Sequence, residues 1–325
     1  MLGINPLGFA ASTLYNISWQ LITRRIQRLV KRSRLGDLCR LDRDPRYKRT
    51  SKASTNIQEQ AALSLAQYNI CKHIYGGGIA LAVIIRWWGH ACFEILYSGV
   101  SITIDPHDGA SIGLKKPGAR SDYVLMSHEH FDHNAYRVVL KEGGKYLSMA
   151  VGENILGPFK VRGIQTFHDK ERGRRRGRNV AYVIETPDGF RIFHAGDLGH
   201  VLEKDHLRET GEIHLALLPV GGTFTIDHEE ALQVFSSLNA KVMVPMHYWV
   251  KGVNLPLNTI DKLVERAKKE YKIYWVDGSE IEVSGKPGSV SITSKHSCRD
   301  EASGKILERC GIEVGDRAIV ILSIG

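Results

Sequence analysis

Cysteine is scarce in this chain: five among 325 residues, at Cys39, Cys71, Cys92, Cys298 and Cys310. The number is odd, the spacing scattered and no CxxC occurs, so neither a secreted disulfide framework nor a thiolate-rich metal site is indicated. A reducing cytoplasm is the compartment this usage implies. No apolar run reaches the roughly 18–20 residues that span a bilayer, and the apolar start Met1–Ala11 lacks the charged n-region of a secretory leader. Net charge is also missing from most of the chain. Up to residue 80 there are 13 Lys and Arg against Asp37, Asp42, Asp44 and Glu59, a surplus equal to the whole formal charge of +9. From residue 81 onward the charges balance, which removes the electrostatic basis for nucleic-acid binding by that portion. The expected partner is a small molecule, with an anionic group as an option; self-association is left open.

What is present is concentrated in Ser127-His128-Glu129-His130-Phe131-Asp132-His133, just after the apolar run Tyr123-Val124-Leu125-Met126. Burying four metal-competent side chains this close together is costly without a compensating cation. Imidazole with carboxylate suits zinc, manganese or iron, and the spacing lets alternate residues face different ions. More candidates follow where strand-like runs end: His168 after Val161–Phe167, Asp197 after Phe190–Gly196, and His247 after Lys241–Met246. Such positions are where loops leave a sheet and sites are built.

In this order, these residues resemble the metallo-β-lactamase superfamily, whose HxHxDH core would be His128, His130, Asp132 and His133. The likeness runs from about Leu81 to about Ser284. It is narrower toward the metal-dependent hydrolase branch that includes L-ascorbate-6-phosphate lactonase. Gly89-His90, Ile104-Asp105-Pro106, Phe167-His168-Asp169, Arg176-Gly177-Arg178-Asn179, His194-Ala195-Gly196-Asp197-Leu198-Gly199-His200 and Pro245-Met246-His247-Tyr248 carry that second likeness.

The resemblance implies an α/β fold, an αββα sandwich, and two divalent metal ions, zinc first with manganese or iron as alternatives. One ion would be held by His128, His130 and His168 and the other by Asp132, His133 and His247, with Asp197 bridging. The implied activity is hydrolysis of an ester bond in a lactone, phosphoester or phosphodiester. Catalytic roles fall to Asp132 and Asp197, with His200 as a candidate to protonate the leaving group. A nuclease acting on RNA or DNA and a non-catalytic metal-stabilised sensor are the competing readings.

Behind the ligands, His90 and Asp105 are candidates for an outer shell, Asp105 accepting from a ligand imidazole and fixing its tautomer. His194 reads as structural. The dense basic run Arg172–Arg178 begins four residues after His168; Arg176 and Arg178 could clamp a substrate anion, and Tyr248 is a further candidate contact. Gly173 and Gly177 suggest that this loop is mobile.

Three segments are expected. Residues 1–80 read as a basic extension, poorly ordered or arising from a mis-assigned start, with helical rhythm over Tyr15–Val30. Residues 81–285 form the hydrolase domain, and 286–325 a small appendage with a short helix over Ala302–Cys310 and a strand over Ala318–Ile324. Within the domain, helices are expected over Ala135–Glu142, His228–Leu238 with Asp227 as N-cap, and Thr259–Glu270. Lys272–Val276 and Ile281–Val283 read as a closing hairpin.

Overall fold

A computed structural model describes residues 82–286 and 289–324; the extension 1–80 and its helical rhythm lie outside the described residues. Strand β1 (Val83–Trp87) alternates buried and half-buried side chains, the signature of a half-buried strand. β2 (Phe93–Tyr97) turns into β3 (Val100–Ile104) through Ser98 and Gly99, both at positive φ, as a two-residue hairpin loop requires. β4 (Ser121–Met126) runs parallel to β3 and is buried at all six positions.

The chain then makes one helical turn, α1 (Tyr136–Val139), and enters β5 (Leu140–Ser148). The longer helix expected over Ala135–Glu142 does not form. Leu140 turns extended to pair with Ser121, and Lys141 Nζ reaches Asp122 at 2.9 Å, so the sheet outcompetes a helix already weakened by Val138 and Val139.

An antiparallel meander follows, of β6 (Gly152–Leu156), β7 (Phe159–Phe167), β8 (Arg178–Glu185) and β9 (Arg191–His194). Then come α2 (Lys204–Thr210), β10 (Leu215–Pro219), α3 (His228–Leu238), β11 (Val242–Met246), α4 (Asp261–Ala267) and β12 (Lys272–Val276). Helix α3 has the expected bounds, and its N-cap Asp227 accepts from the backbone N–H groups of Glu229 and Glu230 at 3.0 Å. The last strands are β13 (Glu280–Lys286), β14 (Ser289–Thr293), β15 (Cys298–Asp300), β16 (Ile306–Leu307), β17 (Gly311–Val314) and β18 (Ala318–Leu322).

These strands make two sheets, ordered β17-β14-β13-β1-β2-β3-β4-β5 and β16-β15-β12-β18-β11-β10-β9-β8-β7-β6. The sheets face each other: Tyr97 of β2 meets Phe159 of β7 edge-on at 6.3 Å, and Phe93 of β2 meets His194 of β9 at 6.0 Å. With helices beyond them this is the αββα sandwich expected of the sequence.

Two expectations about the end of the chain are corrected. β12 and β13 do not form a hairpin; β13 pairs with β1 in one sheet, whereas β12 pairs with β18 in the other. Nor is 286–325 a peripheral addition. β18 lies between β11 and β12, parallel to both and buried throughout, while the expected helix over Ala302–Cys310 is replaced by turns and the two-residue β16. Cys298 and Cys310, read from the sequence as scattered thiols, are joined, with Cα atoms 5.1 Å apart.

Candidate metal centre

Strand ends supply every candidate ligand. His90 follows β1, Asp105 follows β3, Ser127–His133 follows β4, His168 follows β7, Asp197 lies just beyond β9, and His247 follows β11. Among these, His130 is exposed; His90, Asp105, His128, Asp132, His133, His168, Asp197 and His247 are buried.

Asp197 is the hub. Its Oδ2 lies 3.1 Å from His168 Nε2, 3.3 Å from His247 Nε2 and 3.8 Å from His128 Nε2. Its Oδ1 lies 3.3 Å from His133 Nε2. The turn that presents it is fixed by Asn179, whose Oδ1 accepts from the Asp197 N–H at 3.0 Å while its Nδ2 donates to Ala195 O at 2.8 Å. Gly196 precedes Asp197 at φ 57°, and a Cβ there would fall 2.4 Å from Asn179 Oδ1 and 2.6 Å from Ser127 Cβ, so only glycine fits.

Around this hub the ligand-type atoms form groups no wider than 4.8 Å: His128, His130 and His168; His90, Asp132, His133 and His247; and Asp105 with His128 and His133. The second group places His90, expected behind the ligands, among side chains close enough to share an ion. Its Nε2 is 3.0 Å from Asp132 Oδ2, and its ring centre is 4.0 Å from that of His247. Asp105 stands behind the ligands, with Oδ2 3.2 Å from His133 Nδ1.

The donor set fits cations on its own atoms. His128 Nε2, His133 Nε2 and Asp197 Oδ1 are buried without a hydrogen bond, a condition costing roughly 1–3 kcal/mol per group unless something else satisfies it. Burial, reinforced by His133, pushes the His128 imidazole down to about 3, which leaves it neutral, as a ligand must be. Burial opposes charge on Asp197 too, but His133, His247 and His168 outweigh it and hold the carboxyl well below the usual range. His133 feels the reverse: burial lowers it, yet Asp197 and Asp132 raise it well above an ordinary histidine. The space between these carboxylates therefore favours positive charge.

Four further candidates are not members of these groups. His200 does not face the ligand groups: Phe167 N–H donates to its Nε2 at 3.2 Å and its Nδ1 is 2.8 Å from Val201 O, so backbone occupies both nitrogens. It lines a separate cavity of about 490 Å³ with Asp169, Lys170 and His206. Tyr248, expected as a substrate contact, is 3% exposed, packs on Trp87 at 5.3 Å and points its hydroxyl at Leu322 O, 3.5 Å away. Arg176 and Arg178 are exposed, and the Arg176 guanidinium sits over Phe224 at 5.1 Å.

Their loop is ordered rather than slack. The Asp169 carboxylate accepts backbone N–H groups from Glu171, Gly173, Arg175 and Arg176 at 2.7–2.9 Å. Burial would raise this carboxyl, but those four donors hold it below its ordinary value. The sequence reading assigned no role to Asp169, Asn179 or Ser127. Ser127 stands first in the histidine motif, and Asp169 and Asn179 lie in stretches that carry the narrower likeness, but nothing local shows which groups they bond.

His194 is structural, as expected: it is fully buried, with Nε2 2.9 Å from Ala91 O and Nδ1 accepting from Gly196 N–H.

Known proteins resemble this chain in sequence and fold. Residues 84–247 match the β-lactamase superfamily domain. The chain is 33% identical over 193 residues to a UPF0173 metal-dependent hydrolase of Nitratidesulfovibrio vulgaris, covering 50% of this chain and 79% of that protein. For a UPF0173 metal-dependent hydrolase of Thermococcus onnurineus the identity is 35% over 192 residues, covering 51% and 84%. A solved structure from Thermotoga maritima, described as a Zn-dependent hydrolase of the metallo-β-lactamase superfamily, superposes with a TM-score of 0.54. Its identity is 30%, over 74% of this chain and 98% of that one.

Proposed function

Because the chain belongs to the metallo-β-lactamase superfamily, we propose that it hydrolyses an ester bond in a lactone, phosphoester or phosphodiester at a centre of two divalent ions. It is a metal-dependent hydrolase of that superfamily; the ester bond and the ion pair are what we add. The carrying observation is that four imidazoles, of His128, His133, His168 and His247, converge on the single buried carboxylate of Asp197.

His128, His130 and His168 would hold one ion and Asp132, His133 and His247 the other, with His90 beside the second and Asp197 between them. Zinc suits this imidazole-rich set, and the absence of thiolate keeps manganese and iron as alternatives. When bound, such a pair supplies Lewis acidity and brings the pKa of a water toward neutrality.

The chain's residues do the rest. Asp197 keeps the two groups in register. Asp132, steadied by its 3.0 Å contact with His90, orients the attacking water. Exposed His130 and Phe131 mark the mouth through which substrate enters. Arg176, on the loop after His168, and Arg178, which opens β8, receive an anionic substituent. With both nitrogens of His200 committed to backbone, the leaving group takes its proton from water.

A panel of lactones, phosphodiesters and phosphomonoesters, offered to protein reconstituted with zinc, manganese or iron, tests the proposal with His130→Ala as the blank. Ester turnover that vanishes in the blank is expected. Silence across the panel, or turnover equal to the blank, refutes it.

A further inference from the structure

The cavity of about 490 Å³ that His200 lines shares no residue with the candidate ligand groups. Its size is that of a small-molecule site. Asp169, Lys170 and Arg172 reach it from the loop after His168, and His200 and Val201 from the turn after Asp197. The two segments press together: a Cβ at Gly199 would fall 2.3 Å from backbone atoms of both His168 and Asp169. Helices α2 and α3 close the cavity with His206 and Glu230.

Acceptors in this wall are already engaged. The Asp169 carboxylate takes its four backbone N–H groups. Glu230 takes the Lys170 ammonium at 2.6 Å and the Asp227 N–H at 3.3 Å. Because His200 Nε2 accepts from Phe167 N–H, the ring proton sits on Nδ1 and is given to Val201 O. Glu203 and His206 cap the start of α2 reciprocally, the carboxylate turned to the His206 N–H.

Donors, by contrast, remain. His206 Nδ1 accepts from Glu203 N–H at 3.1 Å, so the neutral ring carries its proton on Nε2, free to donate. Among the described residues the Arg172 guanidinium has neither an ion pair nor a hydrogen bond. Its backbone stands at φ 55°, an uncommon conformation for a residue with a side chain, and the next N–H, of Gly173, is pinned to Asp169 Oδ1 at 2.9 Å.

A wall with spent acceptors and open donors fits an occupant that only accepts. We propose that this cavity binds the phosphoryl group of a small molecule, with Arg172 and His206 as its principal contacts. The guanidinium supplies a bidentate fork and His206 Nε2–H a further bond, enough donors for the terminal oxygens of a phosphomonoester. Lys170 adds positive charge while it stays paired to Glu230. Phe167 and Val201 leave room for a short apolar body. The site uses no metal ligand, so it stands whether the centre holds two ions, one or none.

Methylphosphonate, which hydrolysis cannot consume, is the probe, titrated at constant pH into the full chain loaded with zinc. Nitrogen-15 NMR of labelled histidines then reports where it sits. The His206 Nε2 resonance, assigned by its loss in His206→Gln, should move as the probe is added. Arg172→Ala should raise the midpoint of that movement about ten- to a hundredfold, and Arg172→Lys, which keeps the charge without the fork, should fall between. Arg172 is exposed, so both variants keep the fold. Acetate, the carboxylate arm, should move His206 only at concentrations about tenfold higher or more. A His206 resonance that stays still in the unaltered chain overturns the proposal, and an anion seated only at the metal centre gives that result. An Arg172→Ala midpoint within about twofold of the unaltered chain overturns it too. Acetate acting as readily as methylphosphonate refutes the phosphoryl assignment.

Discussion

The backbone N–H of His247 donates to the carbonyl of His90 at 3.1 Å, and both residues hold φ at 52°. His90 leaves β1 of the eight-stranded sheet and His247 leaves β11 of the ten-stranded one, so this bond ties the two sheets at the rim that carries the candidate ligands. Left-handed backbone at a non-glycine residue costs on the order of 1–3 kcal/mol, and Asp105 is a third case at the same rim. The His90 carbonyl also accepts from Trp87 Nε1 at 3.0 Å, which helps to hold the strained turn.

Asp197→Asn keeps the shape of the hub and removes its charge. Elemental analysis of reconstituted protein should find about two ions in the unaltered chain and one or fewer in the variant, with nearly all turnover lost and circular dichroism unchanged. A variant that still carries both ions would remove Asp197 from its bridging role.

Replacing Arg176 and Arg178 together by alanine should lower kcat/KM for a phosphorylated ester about ten- to a hundredfold, since each contact would be charge-assisted. An uncharged lactone should be nearly unaffected. Equal losses on both substrates would show that these exposed arginines do not recognise the anion.

Val320→Asp tests whether the end of the chain is integral. Val320 is fully buried in β18, and an unpaired carboxylate there costs several kcal/mol, enough to leave the protein unfolded or insoluble. Ile306→Asp, at a position 66% exposed on β16, should shift stability by no more than about 0.5 kcal/mol. Similar tolerance at the two positions, measured by thermal melts, would contradict the strand order.

His107 gives a pH signature. It is buried, with Nε2 3.1 Å from Trp88 O, and burial pushes its imidazole down to about 4. In the unfolded chain the ring titrates near about 6.5. As pH falls through that window the unfolded state takes up a proton that the folded state refuses, so stability present above about 6.5 is lost toward 4. Metal-free protein should lose up to about 1.4 kcal/mol per pH unit more steeply than His107→Gln. Parallel curves would show that His107 contributes nothing there.

A chain beginning at Leu81 should fold and hydrolyse the same substrates within about tenfold of the full chain. The surplus positive charge lies before it, and every described strand falls between Val83 and Leu322. Insolubility, or a larger loss in kcat/KM, would place residues 1–80 within the working enzyme.

Features that were local in sequence were legible in advance. His128 to His133 stand together because seven consecutive residues carry them, and α3 has its expected bounds because Asp227 caps an apolar stripe. Features set by distant partners were not legible. That His90 lies against Asp132 and His247 could not be read, because both meet it from other strands. Tyr248 follows a candidate ligand, yet it turns inward onto Trp87. β12 and β13 read as neighbours because alternation reveals a strand but not its sheet. The short helix α1 ended early because pairing of Leu140 with Ser121, a long-range event, overrode a weak local preference.

β18 follows every other strand in chain order but sits between β11 and β12 in the ten-stranded sheet. During synthesis, β11 and β12 emerge with no partner on their facing edges. The loop bearing His247 therefore hangs from a strand bare on one side until residues 318–322 arrive to fill the gap. Newly made chains would spend that interval with two open sheet edges, a state prone to pairing with other chains. A strand made after both of its neighbours thus completes the wall on which His247 rests.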